Sequence, residues 1–369
     1  MILKSDEKAV FVLRELYQQY GYMPYKMSRF EEYDLYVQNK DFLVSDQVIT
    51  FSDRSGRLLA LKPDVTLSII KNVPDRKGHV QKLYYDENVY RVDTGTHAFK
   101  EIMQAGLECI GDLSDSDVAE VVLLAAKSLA KISDRFVLDI SHMGMISAVM
   151  ESCGFSESAK QQAMVFLRQK NSHELRRLCQ QEMIDTIKCD LLCLLVNCNG
   201  KPDEVISSMR SMLCTEKEFS ALDELERVCG ILSDQGFADA IRVDFSVGSD
   251  MKYYSGIVFK GYLPGLHTGI LSGGRYDKLL QKMGRSSSAI GFAIYLDLLE
   301  RLQPQVDGYD VEAVLLCDSG ESSSVVLSVA EKLRKEGSLL ISSSLPESIT
   351  WRLLYRLQEG EAILIENNG

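Results

Sequence analysis

The feature that most narrows the fold is that strand candidates arrive back to back and do not alternate with helices. Gln47-Val48-Ile49-Thr50-Phe51 and Arg57-Leu58-Leu59-Ala60-Leu61-Lys62 flank a Ser52-Asp53-Arg54-Ser55-Gly56 turn. Val80 to Tyr85, continuing through Val89 to Arg91, and Glu101 to Ile110 are joined by the polar loop Val92-Asp93-Thr94-Gly95-Thr96-His97. A parallel pair needs a long crossover, whereas consecutive strands with short loops pair antiparallel. The pattern therefore predicts an α+β fold, an antiparallel sheet flanked by helices.

Around this sheet the apolar spacing marks out helices. Ala9, Val10, Val12, Leu13, Leu16 and Tyr17 give an amphipathic helix over 5–20, ended by Gly21. Pro63-Asp64 begins another, with Leu67, Ile69 and Ile70 behind it. A helix is expected over 116–132, a strand at Phe136 to Ile140, and an almost wholly helical insertion over about 143–236. Strands resume at Ala240 to Phe245, Tyr254 to Phe259 and His267 to Leu271. Gly273-Gly274 reads as a break before a helix, and Ala289 to Ile294 precedes a last helix to about Leu302. Pro304-Gln305-Val306-Asp307-Gly308 reads as a linker between a domain over 1–302 and a small α/β unit over 309–369. Within that unit the order is strand 311–316, helix 322–336, strand 338–342, helix 346–358 and strand 361–365.

Composition limits the partners. A formal charge of −12 gives an averaged field that repels phosphate backbones, so tRNA is not an expected partner. The beginning of the sequence, Met1-Ile2-Leu3-Lys4-Ser5-Asp6-Glu7, lacks the basic and apolar regions of a signal peptide, and a cytoplasmic protein is expected. The 9 cysteines include no Cys-x-x-Cys pair; Cys189 and Cys193 sit four apart in an apolar helical stretch, as core thiols do. His79, His97, His142, His173 and His267 lack ligand spacing, so neither a metal nor a cofactor is expected.

Three groups of residues carry chemistry. Asp64, at a helix start beside Thr66, makes a plausible ammonium site, although alone it reads equally as a helix cap. Gln104 and Glu108 are four apart on one strand, hence on one face, where they can meet a single ligand. Tyr254 and Tyr276, beside Gly273-Gly274, offer an aromatic pair with hydroxyl handles, suited to a small planar ring.

Leu61-Lys62-Pro63-Asp64-Val65-Thr66, the strand pair with Gln104-Ala105-Gly106-Leu107-Glu108, Tyr253-Tyr254-Ser255-Gly256, Ser272-Gly273-Gly274-Arg275-Tyr276-Asp277 and Ala289-Ile290-Gly291-Phe292 occur in a telling order. In that order they resemble the catalytic domain of the class II histidyl-tRNA synthetases over residues 1 to about 302. The resemblance implies that Asp64 holds the amino group of histidine, that Gln104 and Glu108 contact the ligand, and that Tyr254 and Tyr276 wall its pocket. Thr66 stands beside Asp64 in the same string, and Arg91 is the surviving arginine of the nucleotide site.

The departures from the family are electrostatic. Ser249 and Leu298 stand where the synthetases place arginines, and the loop Thr94-Gly95-Thr96-His97-Ala98-Phe99-Lys100 is not arginine-rich. Each lost stabiliser of a charged transition state costs roughly 2.7–4 kcal/mol. The resemblance, read with these losses, implies a non-catalytic regulatory paralogue. It would be a homodimer through its N-terminal region, within a hetero-oligomer with a short-form catalytic ATP phosphoribosyltransferase. Such a paralogue supports the first step of histidine biosynthesis and its feedback by histidine. The tail looks like a shortened anticodon-binding domain. A divergent histidyl-tRNA synthetase, or an orphan paralogue activating another acid, is the alternative.

Overall fold

The computed structural model describes residues 5–43, 48–76, 78–92, 96–247, 253–302, 309–346 and 348–368. Ser249 to Lys252, Thr94-Gly95 and the 304–308 linker lie outside the described residues, as does Gln47. The chain divides into two compact units, Met1–Leu302 and Gln303–Gly369.

In the larger unit α1 (Ser5–Gln19) is followed by β1 (Met23–Pro24), β2 (Phe30–Glu32), α2 (Tyr33–Gln38), β3 (Thr50–Ser52), β4 (Leu58–Leu61) and α3 (Thr66–Asn72). The long hairpin is β5 (Val80–Val92) with β6 (Phe99–Gly111), after which come α4 (Asp115–Ile132) and β7 (Val137–His142). The insertion comprises α5 (Met143–Cys153), α6 (Glu157–Arg168), α7 (Ser172–Gln181), α8 (Thr186–Asn197), the short β8 (Asn199–Gly200), α9 (Pro202–Arg210) and α10 (Glu216–Leu232). Then come β9 (Ile241–Asp244), β10 (Ile257–Tyr262), β11 (Leu271–Arg275), α11 (Asp277–Lys282), β12 (Ser288–Tyr295) and a 3-10 turn over Leu296–Arg301.

Nine strands form one sheet in the order β1-β5-β6-β12-β11-β10-β7-β9-β8, with β2, β4 and β3 forming a small second sheet. The pairs along its centre, from β5 to β7, are antiparallel, as the back-to-back strands predict. Strand alternation gives the sheet two apolar faces. Ala105, Leu107 and Cys109 of β6 lie on the α1 side of the sheet, in a core that runs on through α4 and the insertion and also holds Leu13, Leu124, Ile146 and Leu225. The alternate residues face the opposite way, where Ile110, Tyr85 and Val89 pack with Leu67, Ile69 and Ile70 of α3 and with Leu279 and Leu280 of α11. Cys189 and Cys193 are buried in the first core.

Three sequence readings are overturned. The strand read at His267 to Leu271 begins only at Leu271, where β11 starts, and His267 to Ile270 form no strand. Gly273 and Gly274 do not break the chain; they lie inside β11, between β10 and β12. A Cβ on Gly273 would stand 2.4 Å from Phe292 Cβ and 2.5 Å from the Gly291 carbonyl, so glycine here permits close strand approach. In the smaller unit, 351–358 is a strand and not a helix. The unit comprises β13 (Val311–Leu316), α12 (Ser323–Leu333), β14 (Leu339–Ser342), β15 (Trp351–Gln358) and β16 (Glu361–Asn367), ordered β14-β13-β15-β16. Leu354 and Leu357 are buried on opposite faces of β15. A strand covered on both sides loses the period-2 signal, and its leucines then mimic a helix. The turn after it, Glu359-Gly360, has positive φ at both residues (50° and 84°), the geometry of a two-residue hairpin.

Candidate functional site

The site lies on the α3/α11 face of the sheet, in a cavity of about 360 Å³. β6 supplies Gln104 and Glu108, β5 supplies Tyr85 and Arg91, and the start of α3 supplies Asp64 and Thr66. The segment before β10 supplies Tyr253 and Tyr254, while β11 and its end supply Ser272, Gly273 and Tyr276. Asp64, Thr66, Gln104, Glu108, Tyr254 and Tyr276 are thus brought together, with Arg91 in the same wall.

Glu108 is the centre of this arrangement. It is 2% exposed. Thr66 Oγ1 donates to its Oε1 at 2.7 Å, and the Tyr276 hydroxyl donates to Oε2. Thr66 also stands beside the Tyr253 hydroxyl and offsets part of the rise that burial gives it. Burial pushes the Glu108 carboxyl up to about 8; the two hydroxyl donors pull the other way, and the neighbouring Asp64 carboxylate adds to the rise. Asp64 is also raised by burial, offset by the Leu67 N–H, which donates to Oδ1 at 2.9 Å, and by the charge of Arg91. The cap reading of Asp64 therefore holds together with its place in the cavity wall. Gln104 is 3% exposed, and its side chain has no hydrogen-bond partner among the described residues. A buried amide in that state is a vacant donor and acceptor facing the cavity.

Glycines and backbone staples set the cavity's shape. Gly291 of β12 lies opposite Glu108, and a Cβ there would stand 1.8 Å from Glu108 Oε2. Gly274 makes room for the Tyr254 ring, whose Cδ1 would be 2.8 Å from an added Cβ. Ser272, which replaces the first glycine of the family's run, stands beside Tyr254 and offsets part of the rise that burial gives its hydroxyl. Tyr253 stacks edge-on against Tyr254, with ring centroids 4.6 Å apart. Tyr90 N donates to the Lys62 carbonyl at 2.9 Å and Arg91 Nε to the Pro63 carbonyl at 3.0 Å, which fixes the Asp64 segment to β5. Beneath it the Lys62 ammonium, 1% exposed, pairs with Glu87 at 2.7 Å.

Sequence reasoning did not single out Tyr85, Tyr253, Ser272, Gly291 or Tyr295 as lining residues. Tyr85 shares the strand face of Arg91, three periods of two residues away, and was within reach of the alternation argument. Gly291 and Tyr295 face the cavity only through the β12–β6 register, where they oppose Glu108 and Gln104. Leu298 is absent from the cavity lining and packs against the first core instead. Among the described residues, no cluster of His, Cys, Asp and Glu has the geometry of a metal site, and no helix is long and apolar enough to cross a membrane.

A sheet of this order, with helices on both faces and a polar cavity between the hairpin and the β10–β12 strands, defines a class II aminoacyl-tRNA synthetase-like domain. The histidyl-tRNA synthetase family profile matches residues 3–299. An ATP phosphoribosyltransferase regulatory subunit from Caldanaerobacter subterraneus subsp. tengcongensis is 32% identical over 335 residues, 89% of this chain and 87% of that protein. The crystal structure of an ATP phosphoribosyltransferase regulatory subunit/histidyl-tRNA synthetase from Bacillus halodurans C is 26% identical. It superposes with a TM-score of 0.77 over 93% of this chain and 90% of that one. A chain of the ATP phosphoribosyl transferase (HisG:HisZ) complex from Thermotoga maritima, 17% identical, shares the fold with a TM-score of 0.63 over 80% of this chain and 98% of that one. The chain belongs to the ATP phosphoribosyltransferase regulatory subunits, a family built on the histidyl-tRNA synthetase domain. Its role is regulatory and not catalytic.

Proposed function

We propose that the cavity binds free histidine, and that the chain uses it to regulate a short-form catalytic ATP phosphoribosyltransferase at the first step of histidine biosynthesis, in the cytoplasm. The observation that carries this reading is the pair of carboxyl groups, half-buried Asp64 and buried Glu108, facing one cavity together with the unpartnered amide of Gln104. A ligand with an ammonium at one end and an imidazole at the other satisfies both carboxylates at once. Tyr254 and Tyr276 supply the walls for a flat ring. Arg91, on the Asp64 side, is the cation available to the ligand's carboxylate and the remnant of a nucleotide site. Leu298, turned into the core, offers that site nothing.

The N-terminal region supports a homodimer. Phe30 and Phe51 on one face of the small sheet meet edge-on with centroids 5.6 Å apart, and both are exposed. An exposed aromatic pair of this kind fits an interface.

The test is calorimetry with histidine on the full chain, alone and with the catalytic subunit, beside an ATP–pyrophosphate exchange assay. Binding without exchange is the expected result. Histidine-dependent exchange would establish the divergent synthetase reading instead, and exchange with another amino acid the orphan one.

A further inference from the structure

This inference rests on the reading of the cavity as a histidine site and concerns how that site is controlled. Glu108 accepts from two hydroxyls, yet no cationic side chain among the described residues pairs with it. Buried ionised carboxylates are ordinarily neutralised by a counter-ion or by a proton. The remaining titratable groups around it do not supply a cation. Asp64, before α3, is a second, half-buried acid, and Tyr85 of β5, Tyr253, Tyr254 and Tyr276 are tyrosines whose hydroxyls burial keeps neutral. Tyr295 of β12 brings only another phenol. Arg91 is engaged by the Pro63 carbonyl and acts on Asp64.

We propose that the cavity and its ligand share one proton across Glu108, so that the site selects a weakly basic azole and takes up a proton when it binds that azole in alkaline solution. Near neutrality the empty cavity carries the proton as the Glu108 carboxylic acid, and free imidazole arrives neutral. On docking, the proton passes to the ring nitrogen, which leaves an imidazolium against a carboxylate that still accepts from Thr66 and Tyr276. Nothing is taken from or given to solvent. Above the carboxyl's own range, about 8, both partners arrive without the proton and one must be taken up. Below the ordinary imidazole range, ~6.5, both arrive protonated and one is released. Affinity is therefore greatest between those limits and weakens by up to about tenfold per pH unit outside them.

The experiment is titration calorimetry of the full chain with histidine across this range, in pairs of buffers with different ionisation heats, for the wild type and Glu108→Gln. Titration of the ligand's ammonium and of Asp64 is common to both proteins and cancels in the difference. The expected difference is uptake of close to one proton at alkaline pH by the wild type alone. A second arm needs no variant: the triazole isostere of histidine, a far weaker base, should bind the wild type at least about tenfold more weakly than histidine at neutral pH. If histidine binds with the same proton count in both proteins, or if the triazole matches histidine, the shared proton is refuted while the histidine site stands. If histidine does not bind at any pH, the site reading falls and the shared proton falls with it.

Discussion

Replacing Lys62 or Glu87 tests whether the pair beneath Asp64 is held together as the structure describes. The Lys62 ammonium is 1% exposed and Glu87 17%, so removing either partner strands a charge, but not equally. Breaking a buried pair typically costs roughly 3–5 kcal/mol. Lys62→Met leaves a carboxylate that can still reach water, and the expected loss is near the lower end, about 3 kcal/mol. Glu87→Gln leaves an ammonium with no such escape and should cost as much or more. Replacing both, Lys62→Met with Glu87→Gln, removes the charges together and should return to within about 1–2 kcal/mol of the wild type, because a buried ion pair adds little net stability over a neutral replacement. Urea unfolding of the four proteins gives the coupling energy directly. Histidine titration of the same set shows whether the Asp64 segment, stapled to β5 two residues further on, moves with it. Additive losses, with the double variant the least stable of the four, would refute the argument.

Other outcomes can be stated in the same terms. Glu108 carries its proton to about pH 8 when folded but only to ~4.5 when unfolded, so the folded chain holds more protons between those values. The sign follows: the stability contributed by that proton is full below ~4.5 and is lost as pH rises to about 8, by up to roughly 1.4 kcal/mol per unit. Glu108→Gln should flatten that slope in unfolding curves at pH 5 to 8, and an unchanged slope would count against the buried acid. Gly291→Ala places a methyl within 1.8 Å of Glu108 Oε2 and should cost about 1–3 kcal/mol of stability and abolish histidine heats; wild-type binding by this variant would show that Glu108 is not seated there. Glu359→Asn, at φ 50° in the β15–β16 turn, should stabilise that hairpin by about 0.5 kcal/mol, read as slower amide exchange over 353–367. Faster exchange would contradict the turn geometry.

How much of this was legible in the sequence depended on whether the signal was local. Gln104 and Glu108 could be placed on one face because strand alternation needs only the strand itself, and Asp64 because Pro63 announces a helix start. Gly291 could not, since its role is to lie opposite Glu108, and registers between strands far apart in the chain are not written in either one. The same non-locality explains Gly273-Gly274, whose turn-like letters are close-packed backbone once β10 and β12 are in place. In the smaller unit, the leucines of β15 satisfy a helical spacing as well as a buried strand. Only the pairing with β13 and β16 decides between them.

The helical insertion has a consequence for how this architecture can be shortened or rebuilt. Its helices share one continuous core with α1, α4 and the sheet, so that Leu192, Leu225 and Val228 belong to the same packed body as Leu107 and Ile140. An insertion that stands apart can be excised as a module, but this one covers β7 and β10, next to the strands that carry the cavity. Trimming residues 143–236 to obtain a minimal cavity-bearing domain would expose the apolar face of β7 and β10 to water. A smaller sensor from this chain therefore has to be sought by redesigning that face, not by deletion.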